Sequence, residues 1–294
     1  MATMSHDLEA IFNALDDNTE VRSTFERGAL NYLGNKQDCL PQILPLLPYT
    51  DKWIDVFGGS GSVTLARAKS KFEVYNDKHS GLVAFYRCVQ DSNLLDELIS
   101  TIDLMPHSRE LFLYTKENWE KDQNIVMRAA KFYYMTQASF VGRGESFGRD
   151  LKNRNSVWDK IHKNLNLFPR IHERFKGVLI ENLPWQQIFK DFDGPDAVFY
   201  CDPPYIDGNF YQHNMGKKEH IELCHRIFQL EGFCALSGFE NPIYDSFPWD
   251  GVHIIKVNNR VNNMAYDVNN GMKGRESVTD RSDRTEFLWI KEAS

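Results

Sequence analysis

The 294-residue sequence has no uncharged apolar run long enough to span a bilayer, so no membrane segment is expected. Its opening, Met1-Ala2-Thr3-Met4-Ser5-His6-Asp7, has no basic stretch followed by an apolar one, and no secretory signal is expected. It has no Cys-x-x-Cys pair, which argues against a structural zinc site. The five cysteines, Cys39, Cys88, Cys201, Cys224 and Cys234, are odd in number and scattered. They fit reduced thiols in a cytoplasmic protein better than a disulfide framework. Internal repeats and low-complexity tracts are also missing.

Positive charge is in short supply overall, with a net charge of −7. That balance is poor for gripping phosphates, which takes Lys and Arg. The average hides one basic stretch. Residues 142–177 carry nine basic residues: Arg143, Arg149, Lys152, Arg154, Lys160, Lys163, Arg170, Arg174 and Lys176. Four acids accompany them, so this segment holds +5 and the remainder of the chain −12. A phosphate-binding surface and a solvated helical face both fit that pattern.

What is present alternates. Residues 1–27 read as a polar helix with Leu8, Ile11, Phe12 and Leu15 on one face. An apolar helical pattern through Leu40, Ile43 and Leu47 stops at Pro48. Residues 53–57 form a short apolar strand, 58–62 a glycine-rich turn, 63–69 a helix and 72–75 a second strand. Residues 82–140 are mostly helical, with Ala129, Ala130, Tyr133 and Tyr134 at three-four spacing, and a glycine-bearing loop follows at 139–150. Strands return at 178–180, 197–201, 233–237, 252–257 and 287–290. The run 197–201 is apolar throughout, as in a strand covered on both faces. Between the strands 197–201 and 233–237, helix 217–229 is expected to turn Ile221, Cys224, Ile227 and Phe228 inward. The expected fold class is α/β, a doubly wound sheet interrupted by an inserted, mostly helical block.

Two motifs carry chemistry. In Asp55-Val56-Phe57-Gly58-Gly59-Ser60-Gly61-Ser62, glycines between strand and helix let a ligand approach the backbone, and the helix start offers free N–H groups. Asp77 closes the next strand, where a carboxylate suits ribose hydroxyls. Nicotinamide, flavin and S-adenosylmethionine fit equally, but Thr64 stands where a dinucleotide site would have its third glycine. That favours a ligand without a pyrophosphate.

The second motif is Asp202-Pro203-Pro204-Tyr205, directly after the buried strand. Four specified residues recur by chance in on the order of one chain per thousand of this length. The exocyclic amine of adenine is a poor nucleophile because its lone pair is delocalised. Two acceptors aimed at its hydrogens free that pair, and Asp202 and the Pro203 carbonyl can supply them. Two prolines stiffen the turn and remove competing donors. Tyr205 offers a face for an extruded base.

Together with Tyr32-Leu33-Gly34-Asn35-Lys36 and the closing Arg284-Thr285-Glu286-Phe287-Leu288-Trp289-Ile290, these motifs stand in the order of the Dam-type DNA adenine methyltransferases of bacteria and phages. The chain resembles that family over about residues 28–291. The resemblance implies a Rossmann-like methyltransferase sheet with a target-recognition insertion. It implies S-adenosylmethionine held by Tyr32, Lys36, Asp55, Phe57, Gly58, Gly59, Asp77 and Asp202, with Tyr211 or Phe210 closing the pocket and Trp185 beside the donor's adenine. Asp202, Pro203, Pro204 and Tyr205 would act on the target base without a metal. Arg143, Arg149, Lys152 and Arg154 are the candidate contacts to double-stranded DNA, where the protein could act as a dimer. Modification of DNA alongside a restriction enzyme would be its setting.

The implied division is 28–82 plus 177–294 for catalysis, 83–176 for DNA recognition and 1–27 as an extension. RNA adenine, cytosine N4 or protein glutamine as the acceptor, a nicotinamide-dependent oxidoreductase, and a binding protein without turnover are the alternatives. Two departures stand out. The stretch 139–149 is shorter than the family's recognition hairpin and lacks its Asn and Pro, so a GATC target is not implied. Residues 258–279 are long, polar and rich in asparagine.

Overall fold

A computed structural model describes residues 28–139, 142, 144–148, 156–206, 213–256 and 285–294. Seven strands form one sheet: β1 (Lys52–Asp55), β2 (Phe72–Asn76), β3 (Leu179–Glu181), β4 (Ala197–Cys201), β5 (Phe233–Phe239), β6 (Gly251–Lys256) and β7 (Thr285–Lys291). Their spatial order is β3-β2-β1-β4-β5-β7-β6. The pairs from β3 through β5 are parallel, and β7 runs antiparallel to both β5 and β6. Strand order reverses between β1 and β4. In open parallel sheets the crevice beyond the strand C-termini at such a switch is where ligands bind. The expected α/β class and Rossmann-like sheet are therefore borne out.

Eleven described α-helices accompany the sheet: α1 (Leu40–Ile43), α2 (Ser62–Ala66), α3 (Ser80–Gln90), α4 (Ser92–Asp103), α5 (Arg109–Asn118), α6 (Ile125–Gln137), α7 (Ser156–Leu165), α8 (Phe168–Phe175), α9 (Trp185–Phe192), α10 (Lys217–Ile227) and α11 (Pro242–Asp245). The two faces of the sheet are read off the period-two alternation of its strands. Ile54, Val74, Phe199, Cys201 and Leu236 pack with α9 and α10 through Ile188, Phe189, Leu223, Cys224 and Ile227. Trp53, Val198, Tyr200, Ala235 and Leu288 face the other way, onto Ile43 and Leu44. All five residues of β4 are buried, as an apolar strand covered on both sides requires.

The helices between β2 and β3 share one hydrophobic core with the sheet. Tyr75, Val178 and Ile180 pack in the same cluster as Phe85, Tyr86, Tyr133, Phe168 and Phe175. The boundary expected at 82–83 falls inside α3. The three-four spacing on α6 marks a helix buried nearly all round, with Tyr133 stacked on Phe85 and edge-on to Phe168.

Two local expectations are corrected. The helix after the glycine turn ends at Ala66 rather than 69, because Arg67 takes an extended backbone and its buried guanidinium donates to the Pro48 carbonyl and Ser70 Oγ. On α10, Ile221 points to solvent at 40% exposure, while His220 is buried. The ring of His220 bonds the Tyr244 hydroxyl at 2.6 Å, which rotates the inward face by one residue.

Arg174 is no part of a phosphate-binding surface. Its guanidinium makes a two-pronged pair with Glu73, at 2.5 and 2.9 Å, between α8 and β2. The expected helix at 1–27 and the polar stretch 258–279 lie outside the described residues.

Candidate active site

The C-terminal edge of the sheet carries a cavity of about 990 Å³ including its open mouth. Tyr32, Lys36, Asp55, Phe57, Gly58, Gly59, Asp77, Asp202, Pro204 and Trp185 all line it. Residues from five separate stretches of sequence thus meet in one place. Pro203 is buried behind this wall, and Tyr205 adjoins it through Lys36. Tyr211 and Phe210, together with Arg143, Arg149, Lys152 and Arg154, lie outside the described residues.

The glycine turn is held from three sides. Gly58 N–H donates to the Asn76 carbonyl at 2.7 Å, and Gly59 N–H to Asp77 Oδ2 at 2.8 Å. The Tyr75 hydroxyl donates to the Gly59 carbonyl, and that of Tyr86 to the Ser60 carbonyl. A Cβ on Gly58 would lie 2.2 Å from the Tyr75 ring, so glycine is required by packing. Gly61, at φ 67°, begins α2 from the left-handed region that favours glycine.

Carboxylates dominate the cavity's polar wall. Asp55 ends β1, buried, and Oδ2 accepts from Thr64 Oγ1 at 2.7 Å. The same Thr64 oxygen accepts from Trp53 Nε1 at 3.0 Å. The position of a dinucleotide motif's third glycine is therefore filled by a side chain tied to two others. Asp77 Oδ1 accepts from the His79 N–H at 2.7 Å. Burial pushes Asp55 up to about 7, with the Thr64 bond opposing it, and Asp77 up to about 6 against two backbone donors. Two carboxylate oxygens at the site, Asp55 Oδ1 and Asp202 Oδ1, have no hydrogen-bond partner among the described residues. Leaving such atoms unpaired is costly. With Asp55, Asp77 and Asp202 on its wall, the cavity's field favours a cationic ligand over a pyrophosphate.

Asp202 follows the last residue of β4 and is 17% exposed, although Oδ1 is shielded from solvent. Lys36 Nζ donates to its Oδ2 at 2.5 Å, to the Gly34 carbonyl at 3.2 Å and to the Tyr205 hydroxyl at 3.0 Å. Burial raises the Asp202 pKa, Lys36 draws it back and Glu286 pushes it up again, to about 6. Burial opposes the Lys36 charge, but Asp202, Tyr205 and Glu286 outweigh it and hold its pKa well above the usual lysine range. The Tyr205 ring leans on Phe239, with centroids 4.3 Å apart.

Several site residues were not singled out by sequence reasoning. Asn76 clamps the chain behind the cavity, donating to the Val56 and Leu183 carbonyls and accepting from Leu183 N–H. His79 lines the cavity, stacks flat on Trp119 at 5.2 Å and is pushed by burial to about 4, so it stays neutral. Glu286 sat inside a motif recognised for its resemblance, without a role. Its one sequence signal was a lone acid in an apolar strand.

Among the described residues, no group of three or more His, Cys, Asp or Glu could hold a metal ion, and no helix is long and apolar enough to cross a membrane.

A family model, the D12 class N6 adenine-specific DNA methyltransferase, matches residues 32–237. Among curated proteins, the chain is 26% identical over 204 residues to "Modification methylase StsI" of Streptococcus sanguinis, covering 65% of this chain and 30% of that protein. It is 23% identical over 193 residues to "Modification methylase LlaI" of Lactococcus lactis subsp. lactis, covering 61% and 30%. It is 25% identical over 233 residues to "Type II methyltransferase M.FokI" of Planomicrobium okeanokoites, covering 71% and 35%. The match thus spans about a third of the length of these relatives.

Proposed function

Because the chain belongs to the D12 class of N6 adenine-specific DNA methyltransferases, we propose that it methylates the N6 amine of adenine at specific sites in double-stranded DNA, using S-adenosylmethionine. The observation that carries this reading is Asp202: a carboxylate directly after β4, with a shielded and unpartnered oxygen, beside a glycine-lined cavity rich in negative charge. The names of its relatives support a role in modifying DNA alongside a restriction enzyme.

The cavity's residues fit the donor. Asp77 would take the ribose hydroxyls, Phe57, Gly58 and Gly59 the methionine part, and Trp185 the adenine. Tyr32, Lys36 and Asp55 would complete the wall, with Tyr211 closing it. The sulfonium of S-adenosylmethionine supplies an activated methyl group, so the protein's task is positioning and acceptor placement.

Asp202 and the Pro203 carbonyl accept hydrogen bonds from the target amine and free its lone pair. Pro204 stiffens the turn, and the Tyr205 ring supports an adenine rotated out of the duplex, since the amine is unreachable inside the stack. Asp202, held partly neutral near pH 6, is placed to take the proton that the amine loses. Arg143, Arg149, Lys152 and Arg154 contact the duplex, where arginine reads guanine in the major groove and either residue binds phosphate.

The test is transfer of labelled methyl from S-adenosylmethionine to unmethylated genomic DNA, with nucleoside analysis and mapping of the modified sites. N6-methyladenine in a fixed sequence context is the expected result. Donor binding without incorporation into DNA would overturn the substrate assignment.

A further inference from the structure

We infer that Glu286 is a positioning residue that receives the Lys36 ammonium when Asp202 engages the target amine. The inference rests on the methyl-transfer reading of the cavity. One ammonium, on a lysine only 2% exposed, lies between two carboxylates, 2.5 Å from Asp202 Oδ2 and 3.7 Å from Glu286 Oε2. The Tyr205 hydroxyl links two of these groups, accepting from Lys36 Nζ and donating to Glu286 Oε1 at 3.0 Å.

Lys36 leaves Asp202 Oδ1 open but, by neutralising the carboxylate through Oδ2, weakens it as an acceptor for an incoming amine. Lys36 cannot simply let go either, because a buried ammonium without a counter-charge is costly. Glu286 resolves the conflict by offering a second anion on the far side of the same ammonium.

The fold explains how a glutamate from the end of the chain arrives there. β7 runs antiparallel to β5, with Glu286 opposite Phe239, so its first residues lie beside the C-terminal ends of the parallel strands. The other inward residues of β7, Leu288 and Ile290, are apolar and sit in the core. A buried glutamate in that strand has no packing purpose. Its partners are Tyr205, Lys36 and, through a weak 4.0 Å contact, the Cys39 thiol.

The ionisable groups around Asp202 come from every element packed against it: Lys36 and Cys39 before and within the turn leading into α1, Asp55 on β1, Tyr200 on β4, Tyr205, Tyr244 on α11 and Glu286 on β7. Of these, Glu286 is the carboxylate that shares Lys36 with Asp202. Removing its charge should draw Lys36 wholly onto Asp202 and lower the Asp202 pKa.

The experiment compares wild type, Glu286→Gln and Glu286→Asp by two readouts. The first is carboxyl-carbon NMR titration of protein labelled at aspartate Cγ, with Asp202 assigned through Asp202→Asn. The second is kcat and KM for methyl transfer against pH. Glu286→Gln should shift the Asp202 titration and the acid limb of kcat to lower pH together. Its plateau kcat should fall about tenfold or more, with a smaller change in donor KM. Glu286→Asp, which keeps the charge, should recover part of the rate. An unmoved Asp202 titration, or a normal kcat in folded Glu286→Gln, overturns the inference. If Glu286→Gln fails to fold, Glu286→Met, which also removes the charge at nearly the same length, is measured in its place, and an unmoved Asp202 titration or a normal kcat in it overturns the inference. The titration needs no DNA, so a wild-type protein that leaves DNA unmethylated overturns the substrate reading separately.

Discussion

Lys36 and Asp202 stand 166 positions apart in the sequence and 2.5 Å apart in the fold. The pair closes the gap between the loop ahead of α1 and the turn after β4, and it lines the cavity. It also leaves one Asp202 oxygen paired and the other shielded without a partner among the described residues. A carboxylate arranged this way is half occupied by structure and half available for chemistry.

Asp202→Asn tests that division. The amide keeps the shape but presents a donor where an acceptor is needed, and it weakens the hold on Lys36. Methyl transfer should fall by on the order of 10²–10³-fold. The thermal midpoint should stay within a few degrees of wild type, because Glu286 still neutralises the lysine. Near-normal turnover in this folded variant would remove Asp202 from the mechanism.

Gly58→Ala tests the cradle. The added Cβ would meet the Tyr75 ring at 2.2 Å, and that ring is fully buried with its hydroxyl on the Gly59 carbonyl. The turn must shift instead. Donor affinity, measured by calorimetry, should drop at least about tenfold and stability by about 1–3 kcal/mol. Gly177→Ala is the control. Nothing lies within 4 Å of its Cβ, and its φ of 76° costs only backbone strain. It should lose about 1–2 kcal/mol with donor affinity intact.

The strands, the glycine turn and the Asp-Pro-Pro-Tyr turn were legible because each is written in contiguous residues. β4 in particular has the bounds that its apolar run implies. What periodicity could not show depends on distant partners. A charge count treats Arg174 as one more basic residue, since its pairing with Glu73 spans 101 positions. Apolar spacing placed Ile221 inward because a buried His220, anchored on Tyr244, is invisible to a pattern built on hydrophobic residues. Glu286 gains meaning only once β7 is seen to run antiparallel beside β5.

The acids of the cavity predict opposite pH trends for folding and for donor binding. Asp55 is raised to about 7, and Asp77 and Asp202 to about 6, in each case first by burial. A carboxyl whose folded pKa exceeds its unfolded value stabilises fully below the unfolded value, about 4. That contribution is lost as pH rises through 6–7. The same ionisation attracts a sulfonium. Between pH 5 and 8 the thermal midpoint of the free protein should therefore decline through these groups, while S-adenosylmethionine binds about tenfold tighter or more. S-adenosylhomocysteine, which lacks the sulfonium charge, should show a shallower rise. Equal slopes for the two ligands in calorimetry would mean that the carboxylates do not read the donor's charge.

Arg174 provides the final prediction, because it separates structural from DNA-directed charge within the basic segment. The residue is 9% exposed and its guanidinium is committed to both oxygens of Glu73, so no phosphate can reach it without breaking the core. Arg174→Met should leave the buried Glu73 carboxylate without its ion-pair partner, with the Ser70 N–H on Oε1 as its remaining hydrogen bond, at a cost of about 3–5 kcal/mol in denaturant unfolding. Replacing both partners with apolar residues of similar size should recover most of that loss, since neither charge then needs solvating. The double variant, being folded, can be assayed on DNA. The slope of log affinity against log salt counts the phosphates that the protein neutralises. That slope should match wild type in the Glu73→Met, Arg174→Met protein. In Lys152→Ala, by contrast, it should become shallower by about one unit if that lysine meets a phosphate. A changed slope in the double variant would return Arg174 to the DNA-binding surface.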